Sequence, residues 1–174
     1  MPIWPFRRSR TDIDAELLLA AVTEASRRPS FFGDGRAPDT LLGRFELMTL
    51  NGVLALHRLK AEPALRSLAQ SFTDKLFRQF DAGLREEGIS DTAVPKRMHN
   101  LAGSFFGRVK AYAEPLDAGD RTALAAALGR NVLGDPEHPF AQALAGYALR
   151  AAEVQAATGH SALFHADGWP PLEG

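Results

Sequence analysis

The sequence predicts an all-α fold: a single-domain bundle of about six helices, with a central buried helix at about residues 40–60. Three observations carry that expectation. Apolar residues recur at spacings of three and four in successive segments. Proline and glycine fall between those segments, at Pro29, Pro63, Gly88 and Gly159, where helices start and stop. Nothing alternates with the two-residue period of a strand over a useful length. A chain of 174 residues suits one core, which removes roughly 70% of the unfolded surface from water.

The elements follow in order. Thr11 or Asp12 can cap a first helix reaching about Arg28, with Ile13, Leu17, Ala20, Ala21 and Glu24 along one side. Pro29 ends it. Ser30 to Asp39 holds two glycines, a proline and paired phenylalanines, so a loop pinned to the core by Phe31 and Phe32 is expected. A second helix starts near Asp39 or Thr40, and Leu41, Phe45, Met48, Gly52, Leu56 and Leu59 form one face. Leu47, Leu50 and Leu54 add another, so other helices should surround it.

Pro63 suits the first turn of a third helix, which reaches about Glu87 on an inner stripe of Leu65, Leu68, Phe72, Leu76, Phe80 and Leu84. Its outer side pairs Asp74 with Arg78 and Asp81 with Arg85, one turn apart. A fourth helix begins after Ser90 or Asp91 and runs to about Ala113, burying Met98, Leu101, Phe105, Val109 and Tyr112. Gly103 and Gly107 form a small-xxx-small pair. Lys96, Arg97, Arg108 and Lys110 exclude a lipid-embedded dimer, so close helix packing in water is expected there. Asp117 or Asp120 can start a fifth helix to about Asn131, NVLGDPEHP reads as a turn, and Phe140, Leu144, Tyr147, Ala151 and Val154 mark a sixth ending near Gly159. The chain is thus divided into a flexible basic and aromatic arm (1–11), a helical domain (12–159) and an irregular tail (160–174) that contains Trp169.

Charge and composition narrow the function. A net charge of −1 gives no general case for nucleic acid, and DNA is not expected as a partner. The distribution is uneven: Arg44 to Tyr112 has 11 Lys and Arg against 7 Asp and Glu, a net of +4, while Ala113 to Gly174 has 3 against 8, a net of −5. Cysteine is absent, which removes disulfides, thiolate nucleophiles and cysteine-ligated clusters. The longest mainly apolar window, Leu47 to Leu56, falls short of the ~20 residues that span a bilayer. Arg7 and Arg8 do not make a twin-arginine signal, because TDIDAELLLAA places acids where an apolar region should begin. A cytoplasmic protein is expected, peripheral at the inner membrane if the arm attaches it. In that arm Trp4, Phe6, Arg7, Arg8 and Arg10 belong either to a frayed terminus or to a membrane-surface or ribosome contact.

Catalytic chemistry finds no foothold. His57, His99, His138, His160 and His165 are scattered over different elements without an HExxH, and only His160, His165 and Asp167 lie near one another. Gly103-Ser104 sits inside a helix and is not a nucleophile elbow, and Gly33-Asp34-Gly35 lacks the strand and lysine of a phosphate loop. Glu86-Glu87 and Asp12 with Asp14 lie on solvated helix ends. No enzyme, cofactor or metal is expected.

The remaining candidates are ionic and aromatic. Asp39 with Thr40 reads as a helix cap and Arg44 with Glu46 as surface or inter-helix salt bridging. The functional reading places Arg44, Glu46, Asp81, Arg85, Lys96 and Arg97 on the rim of a groove for a client polypeptide, over a floor of Phe45, Phe105 and Phe106 that can equally be core.

Three stretches, FFGDGRAPDTLLGRFELMTLN, DKLFRQFDAGLREEGISDTAVPKRM and FFGRVKAY, together resemble the ubiquinol-cytochrome c chaperones, over roughly Pro29 to Gly134. The family pattern carries onto Pro38, Asp39, Thr40, Gly43, Arg44, Phe45 and Glu46, then Asp81, Leu84 and Arg85, then Lys96, and finally Phe106, Gly107 and Arg108. The resemblance implies a soluble helical assembly factor that holds newly made cytochrome b for the cytochrome bc1 complex. It also implies, from the mitochondrial members, a ribosome contact and a small helical partner protein. The short chain without an organelle-targeting region looks like a bacterial member, which leaves those last two partners open. The alternative is a general ribosome or nascent-chain binding protein.

Overall fold

The computed structural model describes residues 8–173. Six α-helices account for most of them: α1 (Arg10–Ser26), α2 (Leu41–Lys60), α3 (Arg66–Glu86), α4 (Val94–Ala118), α5 (Arg121–Leu128) and α6 (Phe140–Thr158). α2 is the axis of the bundle, packed by α1 and α3 on one side and by α4 and α6 on the others. Fourteen of its twenty residues are buried, so it has no solvent face along most of its length. That is the central helix its two apolar stripes predict. Thr40 caps it, the side chain accepting from the Gly43 N–H at 3.1 Å. Gly43 is needed for the same turn: a Cβ there would lie 1.9 Å from the Pro38 carbonyl oxygen.

α1 departs from expectation in its start and in its face. Ser9 is the cap, because its hydroxyl accepts from the Asp12 N–H, while the Asp12 carboxylate turns to Lys75 on α3. The buried stripe is Ala15, Leu18, Val22 and Ala25, not Ile13, Leu17, Ala20, Ala21 and Glu24. Ile13 and Leu17 are 40% and 54% exposed. Both stripes are apolar at the LLL run, but only the buried one continues to the C-terminus of the helix without meeting a charged residue.

The 30–39 loop is anchored as expected: Phe31 is fully buried, edge-on to Tyr147 at 5.0 Å between ring centroids. A single 3-10 turn, Pro63–Leu65, leads into α3, whose buried residues are Leu68, Phe72, Leu76, Phe80 and Leu84. α4 does not stop at Ala113. It runs through Pro115 and ends on Gly119, which takes the left-handed conformation at φ +63°. Asp120 caps α5, and a π turn over Gly129–Leu133 leads to the link before α6.

After α6 the chain makes two 3-10 turns, His160–Phe164 and Ala166–Gly168, and lies back on the bundle as a strap. Trp169 is buried, donating from its indole N–H to the Leu163 carbonyl at 3.2 Å. The Arg28 guanidinium holds the Trp169 and Pro170 carbonyls at 2.7 and 2.8 Å, tying the strap to the end of α1. Among the described residues no helix is long and apolar enough to cross a membrane.

Candidate functional site

The ionic residues of the family pattern divide into two groups. Glu46 on α2 is 3% exposed and receives a two-pronged bond from Arg108 on α4, Nη2 to Oε1 at 2.6 Å and Nε to Oε2 at 2.9 Å. This is a strut between helices, and it places Glu46 inside the bundle rather than on an accessible rim. His57 on α2 lies 2.7 Å from Asp117 on α4, so the two helices run parallel and the strut fixes their register. Nearer the surface, Arg44 pairs with Asp39 at 2.8 Å, and Arg85 with Asp81 at 2.7 Å and with Asp91. Those arginines are neutralised by their neighbours. Asp74 departs from the expected pairing with Arg78 by accepting from Gln70 at 2.9 Å.

Lys96, Arg97 and Lys110 on α4 are exposed, and no ion pair among the described residues includes them. Beside them an aromatic chain rises out of the core. Phe45 meets Phe80 at 4.9 Å, Phe77 meets Phe105 at 5.3 Å, and Phe105 meets Phe106 at 5.5 Å, all edge to face. Phe45 and Phe105 are buried, whereas Phe106 is 55% exposed. The close packing expected at Gly103 and Gly107 is not made among the described residues: a Cβ at either would meet none of them within 4 Å. The Glu46–Arg108 strut brings the first turn of α2, with Leu41 and Leu42 41% and 64% exposed, level with the Ser104 turn of α4.

Trp4, Phe6 and Arg7 lie outside the described residues. Arg8 and Arg10 fold back on α1, pairing with Glu16 and Asp14. A solvent-open cleft of about 530 Å³, lined by Asp12, Lys75 and Arg78 among others, belongs to α1 and α3 and not to this face. His160 faces Glu62 at 3.4 Å, rather than His165 and Asp167.

Two structural clusters were not foreseen. Asn51, fully buried on α2, donates to the Ser26 hydroxyl and the Leu47 carbonyl at 3.1 Å each, and accepts from the Tyr147 hydroxyl at 2.6 Å. It joins α1, α2 and α6 through one amide. Lys75 of α3 reaches Asp12 at 2.7 Å and Glu16 at 3.4 Å on α1. A lone amide in the mainly apolar window Leu47 to Leu56 was the available signal for the first.

The carboxylates divide in the same way. Burial pushes Glu46 above its ordinary 4.5, opposed by the Arg108 guanidinium. Asp12, Asp39 and Glu62 are held below their ordinary values by hydrogen bonds from Lys75, Arg44 and Arg58. Depressed groups stabilise the fold above their unfolded pKa and lose that contribution as pH falls through the folded one. A raised group works in reverse, and its contribution is lost as pH rises through the folded value. Carboxyl carbon NMR should therefore show Glu46 titrating above 4.5 and Asp12 and Asp39 below 3.8.

The fold and this face together define a helical scaffold whose inner charges brace helices and whose outer α4 surface is exposed. A model of the family described as Ubiquinol-cytochrome C chaperone matches residues 34–168, so the chain belongs to the ubiquinol-cytochrome c chaperone family. Among solved structures it is similar to the crystal structure of the Cbp3 homolog from Brucella abortus, at 41% sequence identity over 94% of this chain and 91% of that one, with a TM-score of 0.78. No curated protein matches. The match extends the resemblance beyond the π turn to the strap, and both findings support a chaperone role.

Proposed function

We propose that the protein binds newly made cytochrome b and promotes assembly of the cytochrome bc1 complex, without making or breaking bonds itself. The observation that carries this reading is the open face of α4, where a half-exposed phenylalanine stands among unpaired cations in a member of this family. Phe106 offers apolar area for a client to cover, and the cations steer acidic segments toward it. Such a contact weakens with salt, as a chaperone that must release its client requires. Arg44 and Arg85 are already paired, so Lys96, Arg97 and Lys110 on α4 remain to meet a client. The protein then works in the cytoplasm or peripherally at the inner membrane, where cytochrome b is inserted.

A tagged chain should co-purify cytochrome b, and deletion of the gene should remove b-type haem absorbance of the bc1 complex while other cytochromes persist. Normal quinol oxidation in the deletion strain overturns the proposal. Photo-crosslinking from Arg44, Arg85 and Lys96 maps the surface. The same cations favour ribosomal RNA as an alternative, which predicts sedimentation with ribosomes in cells lacking the bc1 genes.

A further inference from the structure

We propose that the outward face of α4 receives an α-helix of the client at close approach, and that this helix carries carboxylates beside an apolar ridge. The inference deepens the proposed function and rests on its polypeptide client.

The argument starts from two residues that the fold does not require. Gly103 and Gly107 sit in the interior of a 25-residue helix, where glycine lowers stability relative to alanine. Neither has a positive φ, and neither faces a neighbour that a methyl group would strike. Among the described residues they only remove side chains, one turn apart, from the outermost line of the helix. A bare line of that kind lets a second helix axis come nearer than ordinary side chains permit.

Phe106 stands at the edge of this line and is backed by Phe77 and Phe105 at 5.9 and 5.5 Å. It is a supported ring, half in water, placed to fill the side of an incoming helix. Leu42, on the neighbouring first turn of α2, adds apolar surface at the same level.

Charge selects the occupant. Between Thr92 and Ala113 the sequence contains no Asp or Glu. Lys96 and Lys110 lie on the same side of α4 as the two glycines, at helical spacings of seven and three from them. A basic partner would be repelled, and a neutral one would leave the cations uncompensated. The complement is a helix with small or apolar residues along its centre and Asp or Glu at its flanks.

The test uses the full chain with two sets of variants. Gly103→Ala with Gly107→Ala should raise the thermal midpoint, and Gly103→Leu with Gly107→Leu should remain helical by circular dichroism yet lose at least tenfold in cytochrome b capture from membrane extracts. Synthetic amphipathic helices flanked by Glu, Gln or Lys provide the second arm. The Glu-flanked helix should bind about tenfold tighter than the Lys-flanked one at low salt, and Lys96→Glu with Lys110→Glu should reverse that order. Phe106→Ser reads the same face if the leucine variant fails to fold.

If the leucine variant captures cytochrome b at the wild-type level, the α4 seam is wrong while the client assignment survives. If the wild type binds the Glu-flanked helix but never recovers cytochrome b, the seam survives and the client assignment falls. Equal binding of all three helices, or preference for an RNA oligonucleotide, overturns the inference.

Discussion

Replacing Arg108 with leucine is expected to cost about 3–5 kcal/mol of folding stability, because it strands the buried Glu46 carboxylate without its counter-charge. The loss should depend on pH in a defined direction. Burial already raises the Glu46 pKa above its ordinary 4.5, and removing the guanidinium takes away the opposing influence. Protonation then relieves the unpaired charge, so the variant comes nearest to wild type in acid and falls away as pH rises through the elevated pKa. Urea unfolding at about pH 5 and about pH 8 measures it, and equal losses at both pH values would show that Glu46 is not left charged in the interior. Glu46→Leu added to Arg108→Leu should restore most of the stability, since an apolar pair of similar volume does as well as a buried ion pair.

The second large effect is at Asn51. Asn51→Leu removes the acceptor of the Tyr147 hydroxyl and one partner of Ser26, each a buried polar group worth about 1–3 kcal/mol when left unsatisfied. Tyr147→Phe made on top of it should recover the hydroxyl's share, whereas the same change in the wild type should cost stability. The sign reversal in that double-mutant cycle is the measurement. Additive losses would show that the two side chains do not act through this bond.

The helices were legible because their punctuation is chemical: Thr40 before an apolar run, Pro63 at a helix entry and Gly159 after α6 each correspond to a backbone requirement, whereas the end of α4 at Gly119 was not read. The face of α1 was not legible. A run of three leucines satisfies two stripes equally, and the choice depends on where α2 and α3 lie. The family residues were readable as a set but not by role. Arg44, Arg85 and Arg108 look alike in sequence, yet the first two lie at the surface with adjacent acids and the third crosses sixty-two residues to a buried partner. Burial separates them, and burial is a property of the packed bundle. Gly103 and Gly107 show the converse: their spacing stands out in the sequence, but only the structure reveals that no described residue packs against it.

The strap sets a timetable for the molecule's own biogenesis. Arg28 leaves the ribosome early, while the carbonyls it holds belong to Trp169 and Pro170, some 141 residues later. The end of α1 therefore waits, its guanidinium still hydrated, until those two residues have emerged. A chaperone latched in this way closes its own fold only once Trp169 and Pro170 are free to reach Arg28.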